Sequence, residues 1–84
     1  MAHLTYRTKG VCSRAIDIEI ENDTISSVVY HGGCAGNTQG VAALVRGMKV
    51  TEAIERLGGI RCGFKATSCP DQLAQALREY LAEN

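Results

Sequence analysis

The residues of this chain best suited to chemistry are its four cysteines, Cys12, Cys34, Cys62 and Cys69. A cysteine thiolate binds metal ions such as zinc and iron, and it also takes part in thiol-disulfide exchange. The spacing, C-x21-C-x27-C-x6-C, contains no C-x2-C pair of the kind typical of zinc sites. Because free cysteine is also among the most buried residue types, the spacing alone leaves a metal site and simple packing as open alternatives.

The surroundings of the cysteines favour a shared role. Cys34, in HGGCAGN, and Cys69, in TSCPD, each lie near the predicted start of a helix, where free backbone N–H groups favour a thiolate. Cys12 precedes the clearest strand, and Cys62 lies in the connection to the last helix. Glycines close to the cysteines allow the backbone to curl round a ligand. Since none of the four lies on a predicted apolar face, their loops are able to converge on one ion.

Two histidines are further candidate ligands. His31 comes just before the Cys34 loop, and His3 lies near the N-terminus. A hydrogen-bonded or exposed histidine is the simpler interpretation of each. The spacing supports no Ser/His/Asp or Cys/His arrangement, and the loop after His31 lacks the lysine that a P-loop requires. We therefore assign no catalytic residue.

The N-terminal half predicts an antiparallel sheet. AIDIEIE, over residues 15–21, alternates strictly, with Ile16, Ile18 and Ile20 on one face and acidic residues on the other. ENDT is typical of a tight turn, and ISSVVYH is a second β-branched run, so we expect a hairpin. LTYRT, over residues 4–8, is a candidate third strand at the edge.

Three helices are predicted after the hairpin. The first follows the glycine-rich loop; the second is EAIERL, with Thr51 as N-cap and a Gly-Gly end; the third begins at Pro70, with Cys69 or Ser68 as its cap. Their apolar spacing predicts buried positions at Val41, Leu44, Val45 and Met48 in the first helix and at Leu73, Leu77, Tyr80 and Leu81 in the third. Strands followed by helices indicate an α+β fold, with two to three antiparallel strands and about three helices packed on one face.

Composition narrows the classes of function. Nine acidic and nine basic residues give no net charge, and no basic run alternates with aromatic residues, so we expect no nucleic-acid partner. The sequence contains no secretory signal pattern and no segment that would span a membrane. We expect a single cytoplasmic domain over residues 1–84, and in that compartment four reduced thiols favour metal or redox chemistry over a disulfide framework.

The motif TSCPD at residues 67–71 resembles the signature of the TSCPD domain family. The segments GVCS, GGCAGNTQGV, LVRGM and GIRCGFKATSCPDQLAQAL extend the resemblance over nearly the whole chain. That family includes short free-standing proteins and a C-terminal segment of adenosylcobalamin-dependent ribonucleotide reductases. The resemblance implies that the four cysteines bind zinc or an iron-sulfur cluster. It also implies that any ribonucleoside-diphosphate reductase activity belongs to the larger relatives, because this chain has no room for the catalytic barrel.

A more distant resemblance is to the NifU-like iron-sulfur assembly scaffolds. Cys12, Cys34 and Cys69 fall at the three cysteine positions of that family, in the same order of hairpin and helices. Ser13 and Arg14 stand where the scaffolds usually carry an acidic residue, and Ser68 stands where they sometimes carry histidine. The resemblance implies a NifU/SufE-like fold and an iron-sulfur assembly protein as a partner, with Cys62 as the fourth ligand.

Three functions are therefore considered. The first is a small metal-binding protein with a four-cysteine site. The second is a metal-free accessory module that docks on a ribonucleotide reductase or another nucleotide enzyme. The third is a thiol redox protein, for which Cys62 and Cys69 are the only candidate pair, although they do not form a C-x-x-C motif.

Overall fold

The computed structural model describes residues 2–9, 13–32, 35–60 and 67–83, with three strands followed by three helices. The strands are β1 (Ala2–Arg7), β2 (Ser13–Glu21) and β3 (Thr24–Gly32), and they form an antiparallel sheet in the order β1-β2-β3. The helices are α1 (Ala35–Val45), α2 (Val50–Leu57) and α3 (Cys69–Glu83). This arrangement confirms the predicted α+β class, including the third strand.

The hairpin between β2 and β3 is closed by a two-residue turn. Asn22 and Asp23 have φ angles of 53° and 61°, the left-handed values that a type I′ turn requires at both central positions. Asparagine and aspartate tolerate this conformation better than other non-glycine residues do. The turn predicted from ENDT is confirmed.

The core lies between the isoleucine face of β2 and the helices. Ile16, Ile18 and Ile20 are buried as predicted, and on β3 both Ile25 and Val28 are buried although they are three residues apart. The register between β2 and β3 shifts at Glu19, so β3 contains one extra residue there and both side chains face inward. The helices cover this face with Val45 of α1, Val50 and Ala53 of α2, and Leu73, Ala76 and Leu77 of α3.

The first predicted helix is shorter than expected. It ends at Val45, and Gly47 has a φ of 87° that turns the chain back toward β3, where Met48 accepts a hydrogen bond from the backbone N–H of Ile25. Met48 therefore packs on the core from outside the helix. The prediction that Leu44 is buried is wrong, because this side chain points away from the sheet and is 75% exposed.

Two further predictions about the helices are corrected. Thr51 is not the N-cap of α2, because Lys49 pairs with Thr24 in a bridge and the helix begins at Val50. The prediction that Gly58 and Gly59 end α2 is confirmed, because Leu57 is the last residue of the helix. The prediction that Leu81 of α3 is buried is wrong, because the last turn of this helix lies beyond the core and the side chain is 39% exposed.

Candidate functional site

The N-terminus of α3 is capped by a serine that also binds the preceding segment. Ser68 Oγ accepts a hydrogen bond from the backbone N–H of Asp71, 3.1 Å away, and donates one to the carbonyl of Ile60, 2.6 Å away. Of the two predicted caps, Ser68 is therefore the one that the structure uses. Pro70 occupies the second helical position and not the first. Its missing N–H is harmless at either position, because the first four N–H groups of a helix have no partner within it.

Asp71 anchors the connection between α2 and α3. Its carboxylate accepts hydrogen bonds from the backbone N–H of Gly59 (2.7 Å), the Gln75 amide (2.9 Å) and the Thr67 hydroxyl. Burial acts to raise the pKa of this carboxyl group, but these hydrogen bonds and the charge of Arg78 outweigh burial and lower the pKa below its usual value. The three donors therefore stabilise the charged form of the carboxylate.

Gln72 links the same helix start to the segment after β1. Its side-chain oxygen accepts a hydrogen bond from the backbone N–H of Lys9 (2.9 Å), and its amide nitrogen donates to Thr67 Oγ1 (3.0 Å). The residue is buried. Sequence reasoning missed this role, because a single glutamine beside the leucines of a helix has no pattern that distinguishes it from a surface residue.

A bulge at the start of β2 turns Ser13 toward the helix. The strand register shifts between Ser13 and Ala15, so Arg14 is an extra residue in β2. Thr8 fixes this bulge, because its N–H donates to the carbonyl of Arg14 (3.1 Å) and its hydroxyl donates to the carbonyl of Ser13. Ser13 is buried, and its Oγ lies 3.4 Å from Cys69 Sγ.

Cys69 lies where the beginning of β2, the end of β3 and the start of α3 meet. It is a free thiol that is 8% exposed, and its carbonyl accepts a hydrogen bond from the hydroxyl of Tyr30, 2.9 Å away. Burial raises the pKa of the Tyr30 phenol, and the negative charge that Cys69 carries as a thiolate raises it further. The hydrogen bonds of Thr67, Ser68 and Asp71 therefore fix the conformation of residues 67–71, and Cys69 is the reactive group in this segment.

The other three predicted ligands, Cys12, Cys34 and Cys62, lie outside the described residues. Within residues 2–9, 13–32, 35–60 and 67–83, no three His, Cys, Asp or Glu side chains are placed to hold a metal ion. Ser13, the neighbour of Cys12, pairs across the sheet with Gly32, which lies two residues before Cys34. The four-cysteine site stays a prediction.

The two histidines lie on the other face of the sheet. His31 Nε2 is 2.5 Å from Asp17 Oδ2, and His3 Nε2 is 3.5 Å from Asp17 Oδ1. Hydrogen bonds from Thr5 and then from His31 lower the pKa of Asp17. Asp17 alternates with the buried Ile16 and Ile18, so this cluster is separated from Cys69 by the thickness of the sheet.

These features define a class of small α+β domain in which a capped helix N-terminus holds a buried cysteine against the first bulge of the sheet. The chain matches the TSCPD domain over residues 3–81, and it belongs to that family. Membership supports the link to ribonucleotide reductase-related domains that the sequence motifs imply. Searches of curated proteins and of solved structures gave no match, so the NifU-like resemblance is not confirmed.

The helices of this domain are short. The longest, α3, has 15 residues, and no helix in the described part of the chain combines the length and apolar character needed to cross a membrane.

Proposed function

We propose that this chain is a small metal-binding protein in which Cys12, Cys34, Cys62 and Cys69 bind one zinc ion or, as the second choice, an iron-sulfur cluster. The observation that carries this proposal is the contact between Ser13 Oγ and Cys69 Sγ, at 3.4 Å. Ser13 is covalently bonded to Cys12, so the contact brings the neighbour of one predicted ligand to the sulfur of another.

Chain connectivity limits how far Cys34 and Cys62, the other two predicted ligands, lie from Cys69. Successive Cα atoms are about 3.8 Å apart. Cys34 follows two residues after Gly32, which pairs with Ser13 in the sheet. Cys62 follows two residues after Ile60, whose carbonyl accepts the hydrogen bond from Ser68. Cys34 thus lies two residues from the strand partner of Ser13, which contacts Cys69. Cys62 lies two residues from a group that is hydrogen-bonded to the neighbour of Cys69. Four thiolates on such segments are able to reach a single ion.

The environment of Cys69 suits a metal-bound thiolate. Its position at the start of α3 puts the sulfur near the positive end of the helix dipole, which stabilises a negative charge. Four thiolates form the usual tetrahedral set for structural zinc and also hold iron-sulfur clusters. A domain of 84 residues with few aromatic side chains has a small core, so metal binding would contribute to its folding free energy.

Metal analysis of anaerobically purified protein tests this proposal, together with its ultraviolet-visible spectrum. We expect one zinc per chain and no visible absorption, whereas an iron-sulfur cluster would give visible charge-transfer bands. Thiol titration in the native state should find the four cysteines protected, and they should become reactive after a chelator is added. Protein without bound metal, whose thiols all react freely before chelation, contradicts the proposal.

Membership of the TSCPD family favours a second candidate, a metal-free accessory module that docks on a ribonucleotide reductase. Under this proposal the partner is the reductase, and Cys69 is a packed thiol whose contacts only stabilise the helix start. An iron-sulfur assembly protein is the partner expected if the site holds a cluster. Affinity capture from the native cell, with metal-loaded and metal-stripped protein in parallel, distinguishes the partners.

We propose a cytoplasmic location for either function, because thiols are kept reduced there.

A thiol redox role is the third candidate and needs a mobile pair, Cys62 and Cys69. Oxidation of such a pair with a chemical oxidant would form one intramolecular disulfide, which mass spectrometry of the unreduced protein detects. We expect no such disulfide in the metal-loaded protein, because thiolates bound to zinc are poor partners for exchange.

A further inference from the structure

Ser13 places a buried hydroxyl against the sulfur of Cys69. The two atoms, Ser13 Oγ and Cys69 Sγ, are 3.4 Å apart, and the two residues are 4% and 8% exposed. Either atom is able to donate the hydrogen bond while the cysteine carries its proton. A thiolate bound to a metal ion has no proton, so in a metal-loaded site the hydroxyl of Ser13 is the donor.

Contacts outside the proposed metal site fix the position of this hydroxyl. Thr8 donates hydrogen bonds to the carbonyls of Ser13 and Arg14, which hold the bulge that turns Ser13 inward. The backbone N–H of Lys9 donates to the buried side chain of Gln72, 2.9 Å away. The chain is thus attached to the first turn of α3 at residue 9 and again at residue 13. These attachments keep the donor in place without a contribution from the metal.

A hydrogen bond from Ser13 stabilises a metal-bound thiolate more than it stabilises a thiol. Four thiolates around one zinc ion keep an excess of negative charge on the sulfurs, and hydrogen bonds to charged acceptors are roughly twice as strong as those between neutral groups. Because Cys69 is buried, water has little access to replace a missing donor. The difference between the two states adds to metal affinity, and outer partners of metal ligands typically contribute about 10- to 100-fold.

Given the four-cysteine metal site proposed above, we propose that Ser13 is a positioning residue of that site, whose hydroxyl donates a hydrogen bond to the Cys69 thiolate and strengthens metal binding. Ser13 acts through Cys69 and does not itself bind the metal. The residue that follows the first predicted ligand therefore stabilises the fourth, although the two are 56 positions apart in the chain. If Cys69 were only a packing residue, the same contact would join two neutral groups and would have no effect on metal binding.

Cobalt(II) and zinc are the probes for this role. Thiolate complexes of cobalt(II) absorb near-ultraviolet light by transfer of charge from sulfur to metal, and competition with a chelating dye measures zinc affinity. Both are applied to the full-length protein after its metal has been stripped. We expect Ser13→Ala to bind zinc about tenfold more weakly than the parent. Its charge-transfer band should move to longer wavelength, because a sulfur that has lost a hydrogen bond gives up its electrons more easily.

Two further variants show whether the hydroxyl itself is responsible. Ser26→Ala removes the same group at the other bulge of the sheet, where Ser26 Oγ donates to the carbonyl of Glu19, 3.2 Å away. Its zinc affinity should stay within about twofold of the parent value, with an unchanged cobalt(II) band. Ser13→Thr keeps the hydroxyl and should keep the band of the parent even where its extra methyl group lowers stability, because the band reports on the sulfur and not on folding.

The outcomes separate the role of Ser13 from the metal site on which it rests. A parent protein that binds neither zinc nor cobalt(II) contradicts the metal site and the role of Ser13 together. A parent protein that binds zinc, with Ser13→Ala equal to it in affinity and in spectrum, overturns the role of Ser13 alone. Equal losses of affinity in Ser13→Ala and Ser26→Ala, or a shifted band in Ser13→Thr, also overturn it, because the hydroxyl would then not be the cause.

Discussion

The hydroxyl of Tyr30 donates a hydrogen bond to the carbonyl of Cys69, so the end of β3 is joined to the first residue of α3. We expect Tyr30→Phe to lower the free energy of unfolding by about 0.5–1.5 kcal/mol, the usual net worth of one such bond. Urea denaturation measures the change. Val29→Ala, one residue earlier and exposed, is the control and should change stability by less than about 0.5 kcal/mol. Equal stability of Tyr30→Phe and the parent would show that this bond does not hold the helix start.

Cys69 and Ser68 are adjacent residues with separable roles. Cys69→Ser leaves the cap on Ser68 intact, so we expect it to weaken metal binding and to lower the thermal stability of the metal-loaded protein while hardly affecting the stripped protein. Ser68→Ala removes the cap and should cost about 0.5–2 kcal/mol in both forms. Thermal unfolding with and without chelator, together with metal content, separates the two. A Cys69→Ser protein that keeps its full metal content, or that is destabilised equally in both forms, would identify Cys69 as a packing residue.

Asp71 links stability to pH through its carboxylate. Its pKa in the folded protein lies below the ordinary value of 3.8, so its contribution is fully present above pH 3.8 and is lost as the pH falls through the folded pKa. Asp71→Asn presents an amide to donors that need a carboxylate oxygen, and we expect a loss of about 1–3 kcal/mol near neutral pH.

The difference between Asp71→Asn and the parent should shrink below about pH 4, which urea denaturation across a pH series would show. Asp17 also has a lowered pKa, but it is unchanged in both proteins and cancels from the comparison. A difference that stays constant from neutral pH to pH 3 would mean that the charge of Asp71 is not the stabilising feature.

Gly58 and Gly40 form a matched pair for alanine substitution. A Cβ at Gly58 would lie 2.9 Å from the carbonyl oxygen of Ile54 and would also meet the guanidinium of Arg78, whereas a Cβ at Gly40 meets nothing within 4 Å. The arginine is able to swing away, but the Ile54 carbonyl is held by the backbone N–H of Gly58. We expect Gly58→Ala to destabilise by about 1–3 kcal/mol.

Gly40→Ala, inside α1, should instead stabilise by about 0.5–1 kcal/mol, because alanine loses less backbone entropy in a helix. Chemical denaturation of both variants against the parent gives the two signs. Two changes of the same sign would contradict this account of the α2 terminus.

The regular parts of the fold follow from local patterns. Strict alternation at Ile16, Ile18 and Ile20 is enough to define the buried face of β2, and Asn22 and Asp23 are residues that the closing turn tolerates. These signals act over a few residues, so a single sequence contains them in full. The strand, the turn and the order of elements were predictable for that reason.

The errors come from contacts between distant segments. The periodicity of α1 does not show that Met48 lies outside the helix and accepts a hydrogen bond from Ile25. Nor does it show that Lys49 pairs with Thr24, which makes Thr51 the second residue of α2. The two bulges in the sheet have no local signature either. In the candidate site, the motif located Cys69 and its cap, but the inward turn of Ser13 depends on Thr8 and on the paired strand.

The hydrogen bond from Lys9 to Gln72 has a consequence for the order in which the domain assembles. It joins residues 63 positions apart, while the β2–β3 hairpin closes across a turn of two residues and can form early. During synthesis the residues of the hairpin are added well before residue 72. The hydrogen bonds around Cys69 therefore form only after α3 has been made, so a chain whose hairpin is already closed still leaves the Cys69 thiol unprotected.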